Sequence, residues 1–230
     1  GFLSGVGLYP IPNRHGLTMG ELAQHFNRAH EFNADLTVVP CEGWQREMLL
    51  WDTGLPYVPG SPNTPTMESL LLYPGTCLFE GTILSEGRGS TKPFEMIGAP
   101  WVNPFELAAT LNDLGLAGVR FRPAHFVPTF SKYQEELCKG IQVHIYDPHA
   151  LDAVALGVHM ITALRDLYPE DFGWRPPYRA GGHYFIDLLA GSDAFRLAVD
   201  KGATARDILA SWEPMRRAFQ EKHYRELLYR

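Results

Sequence analysis

One stretch of the chain limits the possible folds more than any other, because it combines closely spaced glycines with charged residues. It runs from Leu72 to Trp101 and reads LYPGTCLFEGTILSEGRGSTKPFEMIGAPW, with Glu80, Glu86 and Arg88 near its centre. Glycine allows positive φ and close backbone approach, whereas a turn-rich charged run has difficulty satisfying its backbone inside an apolar interior. We therefore expect this stretch to lie at a surface or to line a cleft. The alternative is a solvated loop between two strands.

The composition indicates a globular chain of one domain or two small ones. It has 230 residues, of which 45% are hydrophobic, and a formal charge of -6. No basic run is present that would follow a phosphate backbone, so we expect no nucleic-acid partner. No apolar run reaches the about 20 residues that span a bilayer, so we expect no membrane span in this chain. The start at Gly1, without a methionine, suggests a fragment.

The first third of the chain predicts one clear helix and a long loop. Thr18 and Glu21 have the spacing of a capping box and open a predicted helix that runs to Phe32. The segment LTVVP, residues 36–40, is predicted to be a short buried strand. A loop with aromatic walls follows over residues 42–65, and Thr66 then caps a second helix.

The middle of the chain predicts alternating strands and helices. Two short strands, CLFEG and PFEMIG, are expected to flank the glycine-rich segment. A helix is predicted from the cap at Asn103 to Gly115. The segments VRFRPAHFVP and GIQVHIYD alternate in the manner of strands with one buried face, and we expect them to pair.

The last third is helical in pattern. A long helix is predicted to begin at Asp147 and Pro148 and to end before Pro169. Further helices are predicted at 183–189, 192–200 and 204–210, with a last amphipathic helix ending near Tyr229. The class is therefore α+β, a small mixed sheet with packed helices and a helical C-terminal part. We expect a mixed α/β part at 1–147 and a mainly helical part at 148–230, or a single domain.

Several kinds of site are not supported by the motifs. GRGSTKP lacks the spacing of a phosphate-binding loop, and no GxGxxG or GxSxG motif is present. The histidine pairs are five residues apart and would point to different faces of a helix, so we expect no metal and no other cofactor. The three cysteines are odd in number and far apart, which predicts buried thiols.

Paired carboxylates are the remaining candidates for chemistry. Glycoside hydrolysis uses two carboxyl groups about 5 to 9.5 Å apart, and Glu80 and Glu86 could lie in that range around a turn. The structural alternative is that either glutamate caps backbone amides or pairs with Arg88. Arg14 and His15 form a second polar pair, whose alternative role is to anchor a loop by bonding neighbouring backbone groups.

Three long segments resemble one known family. These are PIPNRHGLTMGELAQHFN, the run from GWQREMLL to MIGAPW, and FRPAHFVPTFSKYQEELCKGIQVHI. They look like segments of the bacterial exo-β-N-acetylmuramidases of the NamZ type, formerly a domain of unknown function. The resemblance implies a glycosidase that releases terminal N-acetylmuramic acid from peptidoglycan-derived saccharides, outside the cytoplasm and without a cofactor. It also implies a Rossmann-like region before PIPNRHG that holds the general acid, so no residue here inherits that role.

The leading hypothesis is therefore a glycosidase fragment in which Glu86 is the second catalytic carboxylate. Glu86 is preferred to Glu80 because it lies between Ser85 and Gly87, where we expect the mobile crown of a loop, whereas Glu80 is expected to be more buried. Arg88 or Arg14 would bind the lactyl carboxylate of muramic acid.

Further candidate substrate contacts are His15, Asn63 and Trp101. Two other hypotheses remain. The first is a non-catalytic module that binds peptidoglycan sugars through aromatic side chains, and the second is a folded remnant without activity.

Overall fold

The structure is a computed structural model that describes residues 2, 4–223 and 227–229. The chain divides into two compact units. The first comprises Gly1–Pro10 and Val58–Ala210, and the second comprises Ile11–Tyr57 and Ser211–Arg230. The boundary expected between residues 147 and 148 lies inside the first unit. No helix in the described part of the chain is long and apolar enough to cross a membrane.

The described residues form seven α-helices and three strands, which confirms the α+β class. The helices are α1 Met19–Ala29, α2 Met67–Thr76, α3 Pro104–Asp113, α4 Ala153–Leu167, α5 Phe185–Ala190, α6 Ala194–Asp200 and α7 Ala205–His223. The strands are β1 Met96–Ala99, β2 Val119–Phe126 and β3 Cys138–Ile145. Two short 3-10 helices occupy Leu50–Thr53 and Cys77–Gly81.

The sheet of the first unit has the order β1-β3-β2. Its β2 and β3 pair as expected, and both pairings are antiparallel, so the sheet is not mixed. Phe121 of β2 lies opposite Val143 of β3, and both are buried. Helix α3 is attached to the free edge of β2 through Asn112, whose side chain accepts from the Phe121 N–H at 3.0 Å and donates to its carbonyl at 2.8 Å.

The stretch from Leu72 to Trp101 forms much of the core of the first unit, so the expectation of a surface loop is wrong. Its buried apolar side chains include those of Leu72, Leu78, Phe79, Leu84, Phe94 and Ile97. Burial is possible because the irregular backbone bonds to itself. Ser85 and Gly98 exchange N–H···O bonds of 2.8 and 3.1 Å, and the Phe94 N–H donates to the Glu86 carbonyl at 2.7 Å. The segment CLFEG is a 3-10 helix and not a strand, and of PFEMIG only the end joins β1.

Glycines in this stretch serve close packing more than flexibility. Helices α2 and α4 cross where Gly75 meets Gly157, and a Cβ atom on Gly157 would lie 2.3 Å from the Gly75 carbonyl oxygen. A Cβ atom on Gly75 would clash with the carbonyl of Ala153 in the same way. Only glycine allows two helix backbones to approach this closely.

The helix starts follow local capping signals. Asn103 caps α3 as predicted, since its Oδ1 accepts from the N–H groups of Phe105 and Glu106. Helix α4 begins later than predicted, after an N-cap at Asp152. The predicted cap Asp147 instead accepts from the His149 and Ala150 N–H groups at 3.0 and 3.3 Å, which closes a separate turn.

The second unit contains α1, whose capping box is confirmed. The Thr18 hydroxyl accepts from the Glu21 N–H at 3.3 Å, and the Glu21 carboxylate accepts from the Thr18 N–H at 2.7 Å. Glu21 also accepts from Arg46 at 2.6 Å and from the Leu228 N–H at 2.7 Å. Burial alone would raise the pKa of Glu21, but these donors hold it below its ordinary value.

Three further expectations need correction. Residues 36–40 form no strand, because no described strand pairs with them, and Val39 is 86% exposed. Cys41 is exposed, so only Cys77 and Cys138 are the buried thiols that were expected. The two predicted C-terminal helices merge into the continuous α7. The last helix was predicted to end near Tyr229. Residues 224–226 lie outside the described residues, and residues 227–229 are not helical.

Candidate functional site

Glu80 and Glu86 are joined by Arg88 within the first unit. The Arg88 Nη2 atom lies 3.2 Å from Glu80 Oε1, and its Nε atom lies 3.2 Å from Glu86 Oε1. Because one rigid guanidinium contacts both, these two oxygens are no more than about 9 Å apart, which does not exceed the upper limit for glycosidase carboxylate pairs. The structure therefore brings together three of the predicted site residues.

The burial of the two glutamates is the reverse of the expectation. The Glu86 side chain is 4% exposed, whereas that of Glu80 is 17% exposed. Gly87, with a φ of 78°, turns the chain back onto β1, and a Cβ atom there would lie 2.7 Å from the Met96 carbonyl oxygen. Glu86 therefore points into the core and does not lie at a mobile crown.

Lys132 completes the environment of Glu86, and the sequence analysis missed it. Its ammonium donates to Glu86 Oε2 at 2.9 Å and to the carbonyls of Phe79 and Leu84 at 2.7 and 2.8 Å. Burial lowers the pKa of Lys132, and the neighbouring Glu86 charge opposes that shift. A single lysine in the irregular loop between β2 and β3 has no local pattern that would have marked it.

Two aromatic rings adjoin the cluster, the partly exposed Tyr73 and the buried Phe94. The Arg88 guanidinium lies over the Phe94 ring, 5.0 Å from its centroid, and the Tyr73 ring meets Phe94 edge-on at 4.7 Å. The pKa of Tyr73 is raised by burial first and then by the charge of the neighbouring Glu80. Tyr73, Glu80 and Arg88 thus form the accessible edge of the cluster, and Glu86 and Lys132 form its buried base.

The contacts restrict the chemistry that these groups can perform. Both oxygens of Glu86 are paired with cations, Oε1 with Arg88 and Oε2 with Lys132, and a general acid must instead hold a proton for the leaving group. Cys77 is not a nucleophile, because burial and then the Glu80 charge raise the pKa of its thiol to about 12. The arrangement is suited to binding a polar ligand at the partly exposed Glu80 and Arg88.

Trp101 and Asn63, the other candidates in the first unit, make different contacts. The Trp101 ring meets the Tyr168 ring edge-on, with the ring centroids 5.4 Å apart. Asn63 lies in a turn in which its N–H donates to the Ser61 hydroxyl at 3.2 Å. Among the described contacts, neither candidate touches the Glu80, Glu86 and Arg88 cluster.

Arg14 and His15 belong to the second unit. Arg14 is exposed. The His15 Nδ1 atom accepts from the Leu17 N–H at 3.0 Å, which is the local contact of a loop anchor. Burial lowers the pKa of His15. In the part of the chain that the structure describes, no group of three or more His, Cys, Asp or Glu side chains could hold a metal ion.

Two family models together cover nearly the whole chain. Residues 71–229 match the C-terminal model of exo-β-N-acetylmuramidase NamZ, and residues 1–68 match its N-terminal model. The chain therefore belongs to the NamZ exo-β-N-acetylmuramidase family. The PIPNRHG segment lies within the N-terminal match, so the N-terminal region extends further along the chain than the resemblance implied.

Known relatives agree with this membership. The chain is 47% identical to the peptidoglycan β-N-acetylmuramidase NamZ of Bacillus subtilis (strain 168) over 228 residues, 99% of this chain and 54% of that protein. A crystal structure of a DUF1343 family protein from Bacteroides fragilis NCTC 9343 is similar with a TM-score of 0.89 and 32% identity, over 100% of this chain and 60% of that one. A second DUF1343 protein from the same organism gives a TM-score of 0.70 at 29% identity, covering 99% and 60%. The chain thus spans about half the length of its curated relative.

Proposed function

We propose that this protein is a glycosidase that releases terminal N-acetylmuramic acid from peptidoglycan-derived saccharides. The observation that carries the proposal is the 47% identity, over 99% of the chain, to a peptidoglycan β-N-acetylmuramidase. The matches to both parts of the NamZ family support it. A peptidoglycan substrate also favours a location outside the cytoplasm.

Within this function, the accessible edge of the cluster would bind the muramic acid unit. The Arg88 side chain is 24% exposed and its carboxylate contacts use Nε and Nη2, so we assign Nη1 to the lactyl carboxylate. The two glutamates are balanced by Arg88 and Lys132, so an incoming anion meets no net negative charge. Arginine is the side chain best suited to such a carboxylate.

The structure favours Glu80 over Glu86 for any direct role on substrate. Glu80 is the more exposed of the two, and its carboxylate contacts Arg88 through Nη2. Glu86 has both oxygens occupied by cations in a buried setting. We therefore revise the preference and propose that Glu80 contacts the sugar and that Glu86 holds Arg88 in place.

Turnover of a chromogenic β-N-acetylmuramide by the full-length protein tests the proposal. We expect chromophore release, and N-acetylmuramic acid as the product from peptidoglycan fragments. A stable protein that binds the sugar without releasing it would support a binding module instead. Binding is followed by thermal shift, because a ligand at 100 times its Kd stabilises the native state by about 2.7 kcal/mol. The absence of both release and binding would indicate an inactive remnant.

A further inference from the structure

We propose that Lys132 is a positioning residue that sets the preference for muramic acid by fixing Arg88 through Glu86. The proposal rests on the function proposed above. Lys132 does not belong to the accessible edge of the cluster, but it determines the orientation of the Arg88 guanidinium.

The bonds of Lys132 leave its ammonium a single orientation. An ammonium has three donors, and the three acceptors of Lys132 are the Glu86 carboxylate and the carbonyls of Phe79 and Leu84. Its side chain is only 17% exposed. Lys132 donates to Glu86 Oε2, and Arg88 contacts the other oxygen, Oε1, through Nε. The guanidinium can then reach Glu80 with Nη2.

The loop that carries Lys132 is held tightly in place. Its neighbours Ser131 and Tyr133 have φ values of 76° and 55°, a left-handed conformation that is costly for residues other than glycine. The N–H and hydroxyl of Thr129 both donate to the Gly89 carbonyl, at 3.0 and 2.9 Å. The loop is thus bonded through Thr129 to Gly89, the residue next to Arg88, and through Lys132 to Glu86. Such a strained conformation persists only where the surrounding contacts impose it, and these contacts meet at the candidate site.

Removal of the Lys132 ammonium should change the geometry of Arg88. Both Glu86 oxygens would then be available, and a carboxylate facing an arginine favours the bidentate pair. Arg88 would turn towards the buried Glu86 and leave Glu80. The lactyl carboxylate would lose its partner, whereas a sugar without that group would lose little.

Lys132→Met tests this in the full-length protein with paired chromogenic β-N-acetylmuramide and β-N-acetylglucosaminide substrates. We expect the ratio of their kcat/KM values to fall about tenfold or more, mainly through a higher KM for the muramide. In an Arg88→Lys background, the same change should lower the ratio no further. Equal losses on both substrates would overturn the proposal, because a merely structural lysine affects both alike.

Lys92→Met is the matched control. It removes another ammonium that lies 3.2 Å from a buried carboxylate, that of Glu95, in the same stretch of the chain. We expect the substrate ratio to stay unchanged in this variant. A fall equal to that of Lys132→Met would show that the ratio responds to any lost ion pair, and the assignment to Lys132 would be wrong.

A crystal structure of the variant separates this proposal from the proposed function. If the wild-type protein hydrolyses neither sugar, the function fails, but the position of Arg88 in Lys132→Met still decides the role of Lys132. We expect Arg88 to pair with both oxygens of Glu86 and to lose Glu80. Retention of both present contacts would overturn the inference. If Lys132→Met does not fold, Lys132→Gln replaces it in every measurement, because glutamine keeps donors for the two carbonyls and removes the charge.

Discussion

At the scale of single residues, Glu86 shows how a three-dimensional neighbour changes the role of a side chain. In sequence it lies between a serine and a glycine, which favours an exposed turn. In the fold it is buried and bonded to two cations, Arg88 and Lys132. Removing one partner of a buried ion pair leaves the other charges uncompensated, and this costs more than losing an exposed pair.

Glu86→Gln should therefore destabilise the protein by about 3 kcal/mol, because Lys132 and part of Arg88 lose their counter-charge in a buried setting. Glu80→Gln is the matched control, since it loses one contact of the same arginine at a more exposed position. We expect it to cost less than about 1 kcal/mol. Urea unfolding of both variants measures the difference. Equal free energies of unfolding would contradict the assignment of Glu86 as the buried anchor.

The sequence predicted the glutamate and arginine pairing as an alternative, because the three residues are close along the chain. It could not predict Lys132, since that contact depends on how the loop between β2 and β3 folds back onto the stretch from Leu72 to Trp101. Nor could it predict that this stretch is buried. The backbone bonds that make its burial possible join segments whose pairing has no sequence signature.

At the scale of elements, three of the predicted caps were confirmed, whereas the one at Asp147 was not. The caps at Thr18, Thr66 and Asn103 were predicted correctly because a cap involves residues only two or three positions apart. The strand expected at residues 36–40 is absent, because a strand needs a partner that its own residues do not specify. The antiparallel pairing of β2 and β3 was predictable from two alternating segments joined by one loop.

The crossing of α2 and α4 gives a prediction at this scale. Gly157→Ala should lower the free energy of unfolding by about 2 kcal/mol or more, since the new Cβ would lie 2.3 Å from the backbone of Gly75. Alanine favours the helix over glycine by about 1 kcal/mol. The clash must therefore cost more than this gain if the variant is to be less stable than the wild-type protein.

Gly60→Ala serves as the control for Gly157→Ala, because a Cβ atom there would have no neighbour within 4 Å. We expect a change within about 0.5 kcal/mol. Thermal or urea unfolding measures both variants. A Gly157→Ala protein as stable as the control would show that the two helices can separate at no cost.

At the scale of the whole molecule, the sequence predicted the class and the family. Long segments carry the family resemblance, and matches to both NamZ family models bear it out. The α+β class followed from the order of the predicted elements. The two compact units could not be derived from that order, because each unit joins segments that are distant in sequence, such as Ile11–Tyr57 with Ser211–Arg230.

The central claim is that this chain supplies the surface that recognises muramic acid, with Arg88 as its cationic group. The most direct test is the ratio of kcat/KM for a β-N-acetylmuramide to that for the β-N-acetylglucosaminide without the lactyl group, measured in wild-type full-length protein and in Arg88→Lys. We predict that the wild-type protein prefers the muramide and that Arg88→Lys lowers the ratio at least about tenfold, because lysine cannot form the arginine fork. A wild-type protein without that preference, or equal losses on both substrates in Arg88→Lys, would contradict the claim.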